Sequence, residues 1–274
     1  MKYVKISAVI PNSTPPYFLG SQLRGAFGYA LKRVVCINPS FRCEECFAKD
    51  NCLFYEAYEQ KNGFHSYRFD FELGKPYYDF SLYLFENFAD KLPYFLSALY
   101  QMISKIGFGK DRKTYKEFEL YINDKSCSID NEIQIPQIYI KEFKTDGFCP
   151  DVLVRFVTPL RLKKRNTFLR GDDMELFDIV NSIYQRGLRL QGKEYEKMPF
   201  IPKGKIVKRE LSFKDLIRYS NRQKTKMKLG GLIGEIEIKG LDKESYRVLK
   251  MGEIVAIGKQ TVFGLGKIKM EVLR

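Results

Sequence analysis

Apolar and polar residues alternate from residue 2 to residue 10, which predicts a β-strand. Apolar side chains then recur at helical spacing, at Leu19, Leu23, Ala26, Ala30 and Val34. The rest of the first half predicts two extended segments, a helix and a last strand, at Ser66–Leu73, Tyr77–Phe85, Ala89–Ile106 and Glu117–Ile122. The first half therefore has the order strand–helix–strand–strand–helix–strand.

The same order is predicted again after a separating segment, Lys144–Pro150. The predicted elements are a strand at Val152–Thr158, a helix with a 3.6-residue period from Leu176 to Leu188, strands at Lys205–Leu211 and Gly231–Lys239, a helix at Lys243–Leu249 and a terminal strand. This order is that of the split βαβ unit. The pattern predicts an α+β protein of two tandem ferredoxin-like (RRM-like) domains with antiparallel sheets, at residues 1–148 and 149–274.

Charge is distributed unevenly between the halves. The formal net charge is +14, but residues 1–150 hold 19 Lys and Arg against 18 Asp and Glu, whereas residues 151–274 hold 28 against 15. A charged surface of a heat-adapted protein would have balanced signs. The excess in the second half favours a polyanionic partner, most simply nucleic acid.

The chain has no run of eighteen apolar residues, and its first residues lack the apolar block of a signal peptide. We therefore expect a cytoplasmic protein with no membrane partner.

The segment Gly258–Gly266 is rich in glycine and is followed by an alternating strand. Gly258, Gly264 and Gly266 would let backbone amides approach an anion, and Lys259 and Lys267 add positive charge. This pattern predicts a loop that lies against phosphate. A glycine-rich hairpin turn is the alternative.

A basic run at Arg218–Lys228 is the second strong signal for nucleic-acid binding. Its cations all occupy even positions: Arg218, Arg222, Lys224, Lys226 and Lys228. In one extended strand they would all lie on one face, suited to a phosphate backbone. A solvated run of charge is the alternative. Smaller basic groups are Arg161, Lys163, Lys164 and Arg165 after the first strand of the second half, and Arg186 and Arg189 on its first helix.

Four cysteines lie close together after the first helix, at Cys36, Cys43, Cys46 and Cys52. This spacing predicts a metal-binding loop with tetrahedral zinc, and an iron–sulfur cluster would use the same ligands. Free thiols or a disulfide are the alternatives. In each case we expect a structural role.

His65 is the only histidine, so a metal site built on several histidines is excluded. A structural role is the alternative to catalysis for this residue. The sequence has no hydrolase, metalloprotease or P-loop motif, and no acidic pair indicates a two-metal nuclease.

Several segments together resemble the CRISPR-associated endoribonucleases of the repeat-associated (RAMP) superfamily, which process precursor CRISPR RNA. They are GKQTVFGLG at Gly258–Gly266, RYSNRQKTKMKLGGLIGEI at Arg218–Ile236, VTPLRLKKRN at Val157–Asn166 and LGSQLRGAFGYAL at Leu19–Leu31. The four-cysteine segment is similar to one in a branch of this family. One departure is Ala256, where the family's loop often begins with glycine.

The resemblance implies that two ferredoxin-like domains bind a CRISPR repeat, with the glycine loop at the RNA backbone. It implies one metal-independent cleavage in each repeat, in which the 2′-hydroxyl attacks the adjacent phosphate and leaves a 2′,3′-cyclic phosphate. His65 lies where the family commonly has its catalytic histidine, and Tyr29 and Lys32 are candidates for the second acid or base and for the phosphate cation. The alternatives are a non-catalytic RAMP subunit that binds mature guide RNA in an effector complex and a zinc-containing RNA-binding protein.

Overall fold

The structure is a computed structural model that describes residues 1–60, 64–129, 132–137, 139–171, 173–220 and 225–273. Its contacts divide the chain into two compact units. Unit 1 comprises Met1–Phe69 and Gly74–Glu142, and unit 2 comprises Asp70–Leu73 and Phe143–Arg274.

Unit 1 has the element order predicted from the sequence. Its main elements are β1 (Lys2–Ile10), α1 (Gly20–Val35), β2 (Tyr67–Phe71), β3 (Tyr78–Phe85), α2 (Leu92–Gln101) and β4 (Glu119–Ile122). The sheet order is β2-β3-β1-β4, and β1 is antiparallel to both neighbours. Shorter strands lie at Lys125–Ser126, Ser128–Ile129, Glu132–Ile133 and Lys141–Glu142, and short helical turns at Lys49–Asn51, Tyr55–Glu59, Glu86–Phe88 and Met102–Ile106.

The core of unit 1 follows from the alternation in β1 and the apolar face of α1. The even residues of β1 from Val4 to Ile10 are buried, as are Leu23 and Phe27 on α1. The Phe27 ring lies 5.7 Å from the Phe69 ring of β2 and 6.0 Å from the Phe95 ring of α2. Burial of these large rings fixes both helices on one face of the sheet.

Unit 2 repeats the same topology. Its main elements are β5 (Val152–Leu160), α3 (Leu176–Leu190), β6 (Lys205–Lys214), β7 (Gly231–Lys239), α4 (Lys243–Val255) and β8 (Ile268–Val272). The sheet order is β6-β7-β5-β8, with antiparallel pairing throughout. Glu175 and Asp178 form a capping box at the start of α3, and the Asp242 carboxylate accepts from the Ser245 N–H at the start of α4.

Both units thus have the strand order second-third-first-fourth. This confirms the predicted α+β fold of two tandem ferredoxin-like domains with antiparallel sheets.

Two hairpins extend unit 2 beyond its main sheet. The first hairpin pairs Lys163–Lys164 with Thr167–Phe168, and the second hairpin pairs Ile217–Ser220 with Thr225–Lys228. Among the described residues, no helix combines the length and the apolar character that spanning a bilayer requires.

Candidate nucleic-acid interface

The glycine loop of unit 2, residues 256–266, has glycines where its backbone turns or packs closely. Gly258 has φ +79°, and a Cβ atom there would lie 2.5 Å from the main-chain oxygen of Arg161. Gly266 has φ +74°, and a Cβ there would lie 1.9 Å from the oxygen of Ile257. Any side chain at these positions would clash with backbone, so the conformation of the loop requires both glycines.

The N–H groups of the three glycines in this loop donate to protein acceptors. The acceptors are Ser182 Oγ for Gly258 (3.2 Å), the oxygen of Thr261 for Gly264 (2.8 Å) and the oxygen of Pro159 for Gly266 (3.1 Å). The expectation that these glycine amides face an anion is therefore wrong. The exposed Lys259 side chain is the cation that the loop presents to solvent.

Thr158 of β5 holds the end of the glycine loop in place. Its buried hydroxyl donates to the oxygen of Gly264 at 2.7 Å and accepts from the N–H of Lys267 at 2.9 Å. A buried hydroxyl that uses both its donor and an acceptor position stabilises one geometry of the loop.

Lys267 forms an ion pair within unit 2. Its Nζ lies 2.7 Å from the Asp70 carboxylate, and the two side chains are only 14% and 11% exposed. A cation paired at this depth serves the fold, since separating the pair would leave a buried charge. The structure thus does not present Lys267 as an exposed contact for a polyanion.

Arg161 connects three segments of unit 2 at the end of β5. Its guanidinium donates to the oxygen of Gly230 at 2.6 Å, after the second hairpin, and lies 4.2 Å from the centre of the Phe168 ring in the first hairpin. Its main-chain oxygen accepts from the N–H of Lys259 at 2.9 Å. Burial lowers the pKa of this guanidinium from its usual value, although it stays protonated at neutral pH. Arg161 therefore organises the surface.

The first hairpin turns through Arg165 and Asn166, which both have positive φ, as a two-residue turn requires. Arg165 and Lys163 are exposed. Lys164 instead makes ion pairs with Glu175 and Asp178 at 3.3 and 3.1 Å, and the hydrogen bond to Asp178 raises the pKa of Lys164. Lys164 thus ties the hairpin to the start of α3.

The register of the second hairpin shows that the prediction of a single basic face is wrong. Its register places Arg218 opposite Met227 and Ile217 opposite Lys228. Residues directly opposite share a face and sequence neighbours do not, so Arg218 points away from the face that carries Lys226 and Lys228. The Arg218 guanidinium lies 2.9 Å from the Met227 sulfur and 4.5 Å from the centre of the Phe263 ring. Arg222 and Lys224 lie outside the described residues.

The two arginines of α3 differ in environment. Arg186 is buried, and its Nε donates to the oxygen of Val255, the last residue of α4. Arg189 is exposed. The predicted cations that the structure exposes on unit 2 are Lys163, Arg165, Arg189, Lys226, Lys228 and Lys259.

Sequence reasoning missed one cation and its aromatic partner in unit 2. Arg170 is exposed, and its guanidinium lies 5.3 Å from the centre of the Phe213 ring of β6. The sequence signal for Arg170 was its position shortly after the cluster of cations at residues 161–165. Its pairing with a ring 43 positions away is set by the tertiary structure.

In unit 1, a row of aromatic rings links two of the candidate catalytic residues. Lys32 Nζ lies 5.1 Å from the centre of the Phe54 ring, and Phe54 stacks on Tyr58 at 5.3 Å. Tyr58 stacks on Tyr67 at 5.8 Å, and the His65 ring lies 5.9 Å from Tyr67. Lys32 and His65 thus lie at opposite ends of the row. Tyr29 has different neighbours, the guanidinium groups of Arg33 and Arg112.

The tyrosines of this row, half-buried Tyr58 and buried Tyr67, lie beside Arg24, a set that sequence reasoning did not identify. The Tyr58 hydroxyl donates to the oxygen of Arg24 at 3.0 Å, and the Arg24 guanidinium lies 4.8 Å from the Tyr58 ring centre. Burial raises the pKa of Tyr58 well above its usual value and raises the pKa of Tyr67. Both phenols are therefore neutral at physiological pH, and Tyr67 packs against the His65 ring as an uncharged group.

The four clustered cysteines line one small cavity of about 20 Å³ in unit 1, together with Arg42, Lys49, Phe54 and Tyr55. None of the six cysteines forms a disulfide. Cysteine thiolates are donors of the type that structural zinc sites use. Within the described part of the chain, however, no three His, Cys, Asp or Glu side chains approach closely enough to form a metal site.

Comparison with known proteins gives two family matches. Residues 154–268 match the model of the family described as CRISPR-associated endoribonuclease Cas6, and residues 4–133 match one described as an N-terminal domain. No curated protein matches the chain.

Similar solved structures cover nearly the whole chain. A Cas6 product complex is 15% identical with a TM-score of 0.61, and covers 99% of both chains. A second Cas6 product complex is 16% identical with a TM-score of 0.53, covering 99% of this chain and 100% of the other. Cas6 from Thermus thermophilus is 12% identical with a TM-score of 0.54, covering 99% and 98%. At these identities the likeness shows a shared fold.

Proposed function

Because residues 154–268 belong to the CRISPR-associated Cas6 endoribonuclease family and the chain is a RAMP-type protein of CRISPR RNA processing, we propose that it cleaves repeat RNA by attack of a ribose 2′-hydroxyl. The reaction needs no metal ion. One cut in each repeat converts the precursor into guide RNAs.

In the proposed reaction, a base removes the proton of the 2′-hydroxyl, and the oxygen attacks the adjacent phosphorus. The bond from phosphorus to the 5′-oxygen breaks, and an acid returns a proton to that oxygen. The products are a 2′,3′-cyclic phosphate and a 5′-hydroxyl. His65 is the one imidazole of the chain and serves as the proton-transfer group.

The RNA-binding part of the proposal rests on the contacts that Arg161 makes. Arg161 joins the first hairpin, a residue shortly after the second hairpin and the glycine loop, which supports a shared surface for their exposed cations. Clustered exposed cations match a phosphate backbone. Solved Cas6 complexes with product and with a substrate mimic have the same fold, which supports RNA as the ligand.

Cleavage of the repeat RNA from the same genomic locus, in buffer with EDTA, tests the mechanism. We expect one cut and a product with a cyclic phosphate. A repeat with a 2′-deoxy nucleotide at the cut should bind with unchanged affinity and stay intact. A dependence on added magnesium, or cleavage of the deoxy substrate, would contradict the proposed attack.

His65→Ala tests the proton-transfer assignment. Loss of a general acid or base lowers a rate typically by about 100- to 10,000-fold, and we expect a single-turnover rate in that range with RNA affinity retained. Lys125→Ala is the control, since Lys125 is exposed in unit 1. An unchanged rate in the His65 variant would remove this residue from the reaction.

We also propose that Cys36, Cys43, Cys46 and Cys52 hold one structural zinc ion as thiolates. The support is the donor set and the cavity that all four line. Purified protein should contain one zinc per chain and no iron–sulfur absorption, and a chelator should lower its melting temperature. Cys43→Ser with Cys46→Ser should remove the metal, whereas Cys149→Ser should not. Metal-free protein with an unchanged melting temperature would contradict this site.

A further inference from the structure

Tyr29 lies on the surface of α1 between two arginines. Its side chain is 45% exposed. The Arg33 guanidinium lies 5.9 Å from the centre of its ring, and the Arg112 guanidinium lies 5.5 Å from it. We call Tyr29, Arg33 and Arg112 the Tyr29 patch. Neither guanidinium has an ion-pair partner among the described residues, so both charges face solvent beside an exposed ring.

The loop that carries Arg112 is held firmly beside α1. Phe108 and Lys113 exchange backbone hydrogen bonds of 2.9 and 3.0 Å across it. Gly107 has φ +80°, and a Cβ there would lie 2.1 Å from the oxygen of Arg112. This closed loop fixes the backbone of Arg112, from which the side chain reaches the Tyr29 ring.

The surface around the Tyr29 patch is more positive than the rest of residues 1–150. Residues 1–150 have 19 Lys and Arg against 18 Asp and Glu. The loop nevertheless exposes Lys110, Arg112 and Lys113 with only Asp111 as an acid, and Arg33 adds a further cation from α1. A local positive surface on a nearly neutral half indicates a specific anionic ligand.

The helix surface next to Tyr29 is open. Gly25 lies one turn before Tyr29 on the same side of α1, and a Cβ atom at Gly25 would meet no atom within 4 Å. A stretch of helix surface without a side chain therefore lies one turn from the exposed ring.

We propose that the Tyr29 patch binds the RNA on unit 1, with a nucleobase stacked on the Tyr29 ring and phosphates at Arg33 and Arg112. Bases stack on exposed aromatic rings without regard to sequence, and guanidinium groups bind phosphate through paired N–H donors. This proposal rests on the proposed function, since it concerns the same RNA. The paired guanidiniums favour binding over the proton-transfer role that the sequence suggested for Tyr29.

Affinity for the uncleavable 2′-deoxy repeat, measured at several salt concentrations, tests the patch. Tyr29→Ala should weaken binding by about 5- to 100-fold, the range for loss of one stacked base, whereas Tyr29→Phe should keep most of the affinity. Arg33→Ala with Arg112→Ala should lower the slope of log affinity against log salt by about 1.4 for single-stranded contacts. Lys125→Ala with Lys141→Ala removes the same charge from exposed sites of unit 1 and should leave the slope unchanged.

Substitution at Gly25 adds a second test, because the space there is free in the protein. Gly25→Glu should weaken binding more than Gly25→Lys, since the two differ in charge at similar size. If wild-type protein binds no repeat RNA, the proposed function fails. If wild-type protein binds RNA but the double arginine variant and its lysine control have equal affinities and slopes, the Tyr29 patch is not an RNA contact.

Discussion

The main-chain oxygen of Arg161 accepts a hydrogen bond from the N–H of Lys259 at 2.9 Å. This bond joins the end of β5 to the glycine loop, and Gly258 pairs with Arg161 as an isolated parallel bridge. The Cα atom of Gly258 lies so close to the carbonyl oxygen of Arg161 that a side chain at position 258 would clash with it. The pair thus explains why the chain has glycine at position 258.

Gly258→Ala should unfold more easily than wild type and bind RNA more weakly, because its Cβ would lie 2.5 Å from the Arg161 oxygen. Strain of this kind costs about 1–3 kcal/mol. Gly192→Ala is the matched control, since Gly192 has a similar φ of +71° and a Cβ atom there would meet no atom within 4 Å. Urea unfolding should show the larger loss for Gly258→Ala. Equal losses would mean that the close contact between position 258 and Arg161 does not affect the free energy of unfolding.

Lys226→Ala with Lys228→Ala should reduce the salt dependence of RNA binding, since both side chains are exposed on one face of the second hairpin. For two contacts to single-stranded RNA, the slope of log affinity against log salt should fall by about 1.4. Arg218→Ala removes one cation of the same hairpin, but its side chain contacts Met227 and Phe263. The slope for that variant should match wild type. If Arg218→Ala reduced the slope and the double lysine variant did not, Arg218 would lie on the RNA-binding face and the two lysines would not.

Gly28→Ala and Gly25→Ala should have opposite effects on stability, although both lie on α1. A Cβ at Gly28 would lie 2.5 Å from the Tyr58 ring, and overpacking of this kind costs about 1–3 kcal/mol. Gly25 has open space, so alanine there should stabilise the helix by about 0.5–1 kcal/mol. Thermal unfolding of the two variants measures the contrast. Two shifts of the same sign would contradict the described packing of Tyr58 on the helix.

Stability should fall in alkaline solution through Tyr78. Burial raises the pKa of Tyr78 from 10.0 to about 12, and its hydroxyl donates to Gln22 at 2.6 Å. Because the folded state favours the neutral phenol, this contribution is complete below pH 10 and is lost as pH rises toward 12. At about pH 11, wild type should have lost about 1.4 kcal/mol relative to about pH 9 from this group.

Tyr78→Phe removes that titration, so its unfolding free energy should decrease less over the same interval. Urea unfolding at the two pH values provides the comparison. A decrease as large as that of wild type would show that other groups cause the alkaline loss.

The sequence predicts the two ferredoxin-like sheets because each element has a clear period and a buried face. Even residues of β1 are buried as the alternation requires, and α1 buries Leu23 and Phe27. The second hairpin shows the limit of this reasoning. A period of two is the same in one long strand and in two short paired strands, but a chain reversal changes which residues share a face. The face that the sequence predicts for Arg218 is therefore wrong.

Local patterns also fail to show which cations are already paired. Lys267 binds Asp70, which is nearly two hundred residues away, and Arg186 donates to the end of another helix. The convergence of four cysteines on one cavity was predictable because the four residues are close in sequence. The neighbours of Tyr67, which packs against His65, were not, since Arg24 and Tyr58 come from other elements.

The hydrogen bonds of the glycine loop have a thermodynamic consequence. Thr158, Arg161 and Ser182 hold the backbone of the loop through protein contacts alone. Its conformational entropy is therefore lost during folding of the chain, before any ligand arrives. Binding of a ligand to this loop therefore carries no further entropy cost for ordering its backbone.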